Sequence, residues 1–164
     1  MIRAGVLSDT HLSQPDSLFT RQIAACFADC DVIIHAGDLT ALPVLTAFHG
    51  KTVYAVSGNM CDSEVRNCHP EHMQFALGPF AVGLTHGARL GPDTENSLWH
   101  LFPEADCIIY GHTHQPVCHR IGATLFLNPG TFRATGLYGA PGTCAILEAG
   151  EELTARIIAV PVIR

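Results

Sequence analysis

Ile2-Arg3-Ala4-Gly5-Val6-Leu7-Ser8-Asp9-Thr10-His11 decides how the rest of the chain is read: a short, nearly continuous apolar run breaks off into a carboxylate and an imidazole two residues apart. A run of that length reads as a strand covered on both faces in a parallel sheet. The pattern then recurs. Val32-Ile33-Ile34-His35-Ala36 leads into Gly37-Asp38, Lys51 to Val56 into Gly58-Asn59, Phe80 to Thr85 into His86-Gly87, and Cys107-Ile108-Ile109-Tyr110 into Gly111-His112-Thr113-His114. Asp9, His11, Asp38, Asn59, His86, His112 and His114 thus stand at the carboxyl ends of strands, where α/β sheets bind their ligands.

Between these runs lie helical signals. Ser17 to Cys30 places Leu18 or Phe19, Ile23, Cys26 and Phe27 on one face, and Leu42 to Phe48 reads as a short helix with Pro43 in its first turn. This βαβαβ opening predicts a parallel sheet with helical crossovers. Met73 to Leu77 and Phe80 to Thr85 flank Gly78-Pro79 as an antiparallel hairpin, and Asp93 or Thr94 caps a helix through about Leu101. Val117–Ile121, Thr124–Asn128, Thr143–Leu147 and Leu153–Val160 are further strands, separated by turn residues. The expected fold is α/β: two mixed β-sheets packed as a sandwich, flanked by helices, with metal ligands at strand carboxyl ends.

At 164 residues the chain fits one domain, 1–164, and its 48% hydrophobic and 15% charged content is that of a folded globular protein. The nine Lys and Arg residues are scattered within a net charge of −6, which disfavours duplex nucleic acid as a partner. No signal-peptide pattern opens the chain and no apolar stretch reaches spanning length, so a soluble cytoplasmic protein without membrane contact is expected. Seven cysteines without a CxxC pair read as reduced thiols.

Carboxylate, carboxamide and imidazole supply the oxygen and nitrogen donors that divalent transition ions accept, and no thiolate stands among them. Singly, each residue has an ordinary explanation. Asp9 suits a turn, Gly58-Asn59 is a common turn pair, and His35 reads as a hydrogen-bonded core histidine. Jointly they point to a two-metal hydrolytic site, with a mononuclear zinc site as the alternative. Asp38 suits a bridge, since two carboxylate oxygens can span cations about 3.5 to 4 Å apart. His112 and His114, alternate residues of an extended segment, can aim at two adjoining ions.

The series Asp9-x-His11, Gly37-Asp38, Gly58-Asn59, His86-Gly87 and Gly111-His112-x-His114 resembles that of the calcineurin-like metallophosphoesterases. The length and the Asn128-Pro129-Gly130 turn further resemble its small single-domain phosphodiesterase branch. That resemblance implies one ion held by Asp9, His11, Asp38 and His114 and a second held by Asp38, Asn59, His86 and His112. It also implies a hydroxide bridging the ions as nucleophile, with Asp38, Asn59 and His86 the catalytic set and a small or activated phosphoester as substrate. Manganese is the expected metal, although mixed nitrogen and oxygen ligation also suits iron, zinc, nickel and magnesium.

One position departs from the family. Many relatives carry histidine directly after the asparagine, where it protonates the leaving group, and the small phosphodiesterase branch usually reads Gly-Asn-Cys-Asp. Here Gly58-Asn59-Met60-Cys61-Asp62 resembles that branch pattern with one residue inserted, or with Met60 in place of the cysteine, so good leaving groups are expected to react best. Arg89, Arg133, His119 and Cys61 are read as solvent-facing or structural. The alternatives to a phosphodiesterase are a phosphomonoesterase or nuclease with the same ions, and an interaction scaffold such as the retromer subunit that shares this fold.

Overall fold

The computed structural model describes residues 1–133 and 141–163. The first half runs β1 (Ile2–Leu7), α1 (Ser17–Phe27), β2 (Val32–His35), a 3₁₀ helix (Leu42–Phe48), β3 (Thr52–Ala55) and α2 (Ser63–Cys68). The second runs β4 (His72–Leu77), β5 (Phe80–Thr85), α3 (Thr94–Leu101), β6 (Cys107–Ile109), β7 (Val117–Ile121), β8 (Thr124–Asn128), β9 (Thr143–Ala149) and β10 (Leu153–Ala159).

Two five-stranded sheets result, in the orders β10-β9-β1-β2-β3 and β4-β5-β6-β8-β7. Both are mixed. β1, β2 and β3 are parallel, with Val6 opposite Ile34 and Ile34 opposite Tyr54, while β9 joins β1 antiparallel. β5, β6 and β8 are parallel, and β4 and β7 close that sheet as antiparallel edges.

The continuous apolar runs follow from having both faces covered. Ala4, Val6, Ile34, Leu84, Ile109 and Leu127 fill the interior between the sheets. The opposite face of the first sheet, through Leu7, Ile33 and Ile146, packs on Phe19, Ile23 and Phe27 of α1. Leu98 of α3 joins Ile108 and Phe126 on the outer face of the second. The sandwich and its flanking helices are as expected.

Differences are local. α1 ends at Phe27 rather than Cys30 because the Lys51 ammonium takes the carbonyls of Phe27 and Cys30, at 3.0 and 2.5 Å, and closes the chain end. Leu42–Phe48 is 3₁₀ rather than α: it is seven residues long, carries Pro43 in its first turn, and Thr46 Oγ1 donates back to the Pro43 carbonyl at 2.7 Å. α2, which the sequence pattern did not indicate, buries Val65 alone. The seven cysteines form no disulfide.

Candidate metal centre

Because β1, β2 and β3 run parallel, as do β5 and β6, the segments leaving them converge on one edge of the sandwich. The backbone there is unusual. Asp9, His11, Asp38, His112 and His114 have φ of 56°, 47°, 55°, 66° and 59°. Each such left-handed non-glycine residue costs on the order of 1 to 3 kcal/mol and persists only where its surroundings impose it. Here the Asp9 and His11 amides donate to the Gly37 and Asp38 carbonyls, both at 3.0 Å, and tie the segment after β1 to the one after β2.

Three of the donor side chains at this edge are buried, while His11 is half-buried and His112 and His114 are exposed. Asp9, Asp38 and His86 are 0%, 2% and 2% exposed, in positions where an unpaired charge is expensive. Asp9 Oδ1 lies 3.1, 3.6 and 4.0 Å from Nε2 of His114, His11 and His86. Its Oδ2 accepts the Ser8 hydroxyl at 2.5 Å and the His112 amide at 3.2 Å. Asp38 Oδ2 is 3.1 Å from His86 Nε2, and its Oδ1 accepts the Met60 amide at 2.8 Å. His86 Nδ1 donates to the Ala36 carbonyl at 2.8 Å, which leaves Nε2 to face Asp38 and the Asn59 Oδ1 at 3.0 Å.

Two donor triads emerge, Asp9 with His11 and His114, and Asp9 with Asp38 and His86; within each, the donor atoms lie within 4.8 Å of one another. Asn59 adjoins the second through His86. The exposed His112 ring packs edge-on against that of His86, centroids 5.3 Å apart. All seven expected residues are therefore at one edge, and the carboxylate common to the triads is Asp9.

The electrostatics suit a cation. Burial pushes Asp9 and Asp38 upward, but the hydrogen bonds from His11 to Asp9 and from His86 to Asp38, together with the neighbouring imidazolium charge, outweigh it and hold both below the usual carboxylate range. The Asp9 hydrogen bond raises His11. His86 is pulled down by burial but raised on balance by Asp38 and Asp9. A site that favours protons on its imidazoles and charge on its carboxylates fits divalent ions in place of those protons.

Two glycines make room. A Cβ on Gly58 would sit 2.1 Å from Asp38 Oδ1, and one on Gly111 2.1 Å from Ser8 Oγ and 3.1 Å from Asp9 Oδ2. His35 is fully buried and pushed down to about 3 by that burial; its Nε2 lies 3.2 Å from Thr10 Oγ1, as befits a core histidine. His119 pairs with Glu95 at 3.0 Å and stacks on Phe126, Cys61 Sγ accepts the Gly58 amide at 3.2 Å, and Arg89 pairs with Glu71 at 3.6 Å. Sequence reasoning missed Ser8 and the Ala36 carbonyl, which orient Asp9 and His86. Ser8 carried a usable signal, a hydroxyl between the apolar run and its carboxylate.

Beside this edge a cleft of about 320 Å³ shares Asn59 and His86 with it and continues past Arg66, Glu71, Leu90 and Leu101.

Two mixed sheets that deliver carboxylate, amide and imidazole donors to one edge, in overlapping triads, define a metal-dependent phosphoesterase. The chain belongs to the calcineurin-like phosphoesterase superfamily, whose domain model matches residues 2–152. It is 36% identical to a probable metallophosphoesterase of Methanothermobacter thermautotrophicus over 157 residues, covering 94% of this chain and 90% of that one. A phosphodiesterase of Methanocaldococcus jannaschii is 26% identical over 147 residues, 79% and 83% of the two chains. In fold the chain also matches zinc-complexed Vps29 of Entamoeba histolytica, with a TM-score of 0.74 at 17% identity over 98% of this chain and all of that one. The protein is accordingly a hydrolase acting on phosphoester bonds through a dinuclear metal site. Among the described residues no helix is long and apolar enough to cross a membrane.

Proposed function

We propose that the protein is a cytoplasmic phosphodiesterase, a single domain over residues 1–164, that hydrolyses a small or activated phosphoester with two divalent ions, manganese by preference. One ion is assigned to Asp9, His11, Asp38 and His114, the other to Asp38, Asn59, His86 and His112, with Asp38 as the bridge. The observation that carries the reading is the burial of Asp9 and Asp38 against three imidazole nitrogens, a donor set that packing alone does not call for.

Two divalent ions supply Lewis acidity, which makes water nucleophilic near neutral pH and offsets charge on the phosphoryl oxygens. The chain's own residues keep the donors in place. Ser8 orients Asp9, the Met60 amide fixes one oxygen of Asp38, and the Ala36 carbonyl sets the His86 tautomer, so little reorganisation accompanies the reaction. Asn59 donates without adding negative charge. The cleft at Asn59 and His86 gives the retained ester group a place, which favours a diester over a monoester.

The test is a phosphoester panel on metal-stripped protein with each ion restored. Manganese is expected to give the highest rate, and bis(4-nitrophenyl) phosphate to turn over faster than 4-nitrophenyl phosphate. Asp38→Asn should lose roughly 10² to 10³ in kcat, the scale for removing one well-placed charge-stabilising group. Preference for the monoester would overturn the diesterase reading, and unchanged hydrolysis by Asp38→Asn would overturn the bridge. No turnover with any ion, together with a stable co-purifying partner, would favour a scaffold.

A further inference from the structure

The cleft next to the metal edge has more chemistry than a space for any ester group. Its volume, about 320 Å³, falls at the lower end of small-ligand sites, roughly 300 to 1,000 Å³. Leu90 and Leu101, both half-buried, give it an apolar wall, and Arg66, Glu71 and Arg89 give it charge. Glu71 and Arg89 offset each other at 3.6 Å. Arg66 is different. Its Nη2 donates to the Asn59 backbone carbonyl at 2.9 Å, a neutral oxygen, and among the described residues no carboxylate pairs with it. In a chain of net charge −6, the cleft therefore keeps one uncancelled guanidinium, anchored on the residue whose side chain adjoins His86.

We propose that this cleft holds the ester arm retained on phosphorus, and that Arg66 recognises an anionic group on that arm, so the preferred substrate is a phosphodiester carrying a second negative charge beyond its apolar portion. This rests on the diesterase reading above and names the substrate class for it. The anchor explains the geometry. One nitrogen of the guanidinium is committed to Asn59, and its remaining N–H groups keep the planar fork that suits carboxylate or phosphate. The anchor also fixes the fork relative to the metal edge through Asn59. Leu90 and Leu101 offer the arm's apolar portion a wall. A phosphomonoester would leave the cleft unfilled.

The test separates binding from turnover. With the manganese-loaded protein, calorimetry compares phenylphosphonate with 4-carboxyphenylphosphonate, which differ only by the remote carboxylate. The carboxylated ligand is expected to bind about tenfold tighter, the lower end for a hydrogen bond to a charged group. Arg66→Gln should bring the ratio to about one, and Arg66→Lys, which keeps the charge but not the fork, should retain part of it. The same preference is expected in KM for 4-nitrophenyl 4-carboxyphenyl phosphate over 4-nitrophenyl phenyl phosphate. Equal affinities in the wild type, or a preference that survives Arg66→Gln, would overturn the assignment. If neither diester is hydrolysed while the phosphonate preference holds and depends on Arg66, the diesterase reading fails and the anion site of the cleft stands.

Discussion

Met60 contributes to the site with its main chain alone. Its amide holds Asp38 Oδ1 at 2.8 Å, a bond that almost any residue could make, while its side chain is 59% exposed beside Asn59. A thioether donates no proton, so Met60 gives a poor leaving group no acid assistance. Met60→His keeps the amide and adds an imidazole donor next to Asn59. It should accelerate unactivated alkyl diesters by roughly 10² to 10⁴ and change nitrophenyl esters little. The check is a leaving-group series in both proteins, in which the dependence on leaving-group pKa flattens in the variant; identical slopes would locate the proton donor elsewhere. That these donor residues gather at one edge was legible in the sequence because each apolar run stops just short of one. The left-handed φ of Asp9, Asp38 and His112 was not, because hydrogen bonds from distant segments impose it. Arg66 escaped for a related reason: its link to Asn59 depends on the direction in which α2 leaves the loop.

α1 and α2 make the same point at the level of elements, since both begin on an aspartate that accepts an amide of the first turn. Asp16 takes the Phe19 amide at 2.7 Å and Asp62 the Val65 amide at 2.9 Å. Replacing either cap with alanine should cost about 1 kcal/mol. Their functional consequences should differ. α1 lies on the outer face of the first sheet and contributes nothing to the triads or the cleft, so Asp16→Ala should shift the urea midpoint and leave KM unchanged. α2 has six residues, too few to persist on propensity alone, and it carries Arg66, so Asp62→Ala should shift the midpoint and also raise KM. Urea titrations run alongside kinetics decide the matter; equal KM values for the two variants would detach α2 from substrate binding. The central strands β1, β2, β6 and β8 were readable because burial on both faces erases polar alternation and leaves short apolar runs. α2 was not: one buried residue, Val65, makes no period, and its other positions face outward or stand partly exposed.

Across the whole molecule the metal edge joins the two sheets through polar side chains; away from it Arg120 of β7 also crosses, donating to the Leu153 carbonyl of β10. Asp9 and His11 follow β1, Asp38 follows β2 and Asn59 follows β3 in the first sheet, whereas His86 follows β5 and His112 and His114 follow β6 in the second. Each triad draws on both sheets, Asp9 and His11 meeting His114 in one, Asp9 and Asp38 meeting His86 in the other. A bound ion is therefore a cross-link over the end of the sandwich, and its binding free energy adds to folding stability because the unfolded chain has no such site. At a free metal concentration one hundred times the dissociation constant, each site contributes about 2.7 kcal/mol and the two together about 5 kcal/mol. For a chain of this size that corresponds to a rise in Tm on the order of 10 to 20 °C. Asp38→Ala, which removes the carboxylate assigned to both ions, should abolish most of the rise, so thermal unfolding with and without manganese is the first measurement. Hydrogen exchange distinguishes a cross-link from a local effect: amides at the carboxyl ends of β1 and β6 should gain protection together on metal addition, and protection confined to one sheet would mean that the ions do not tie the two layers.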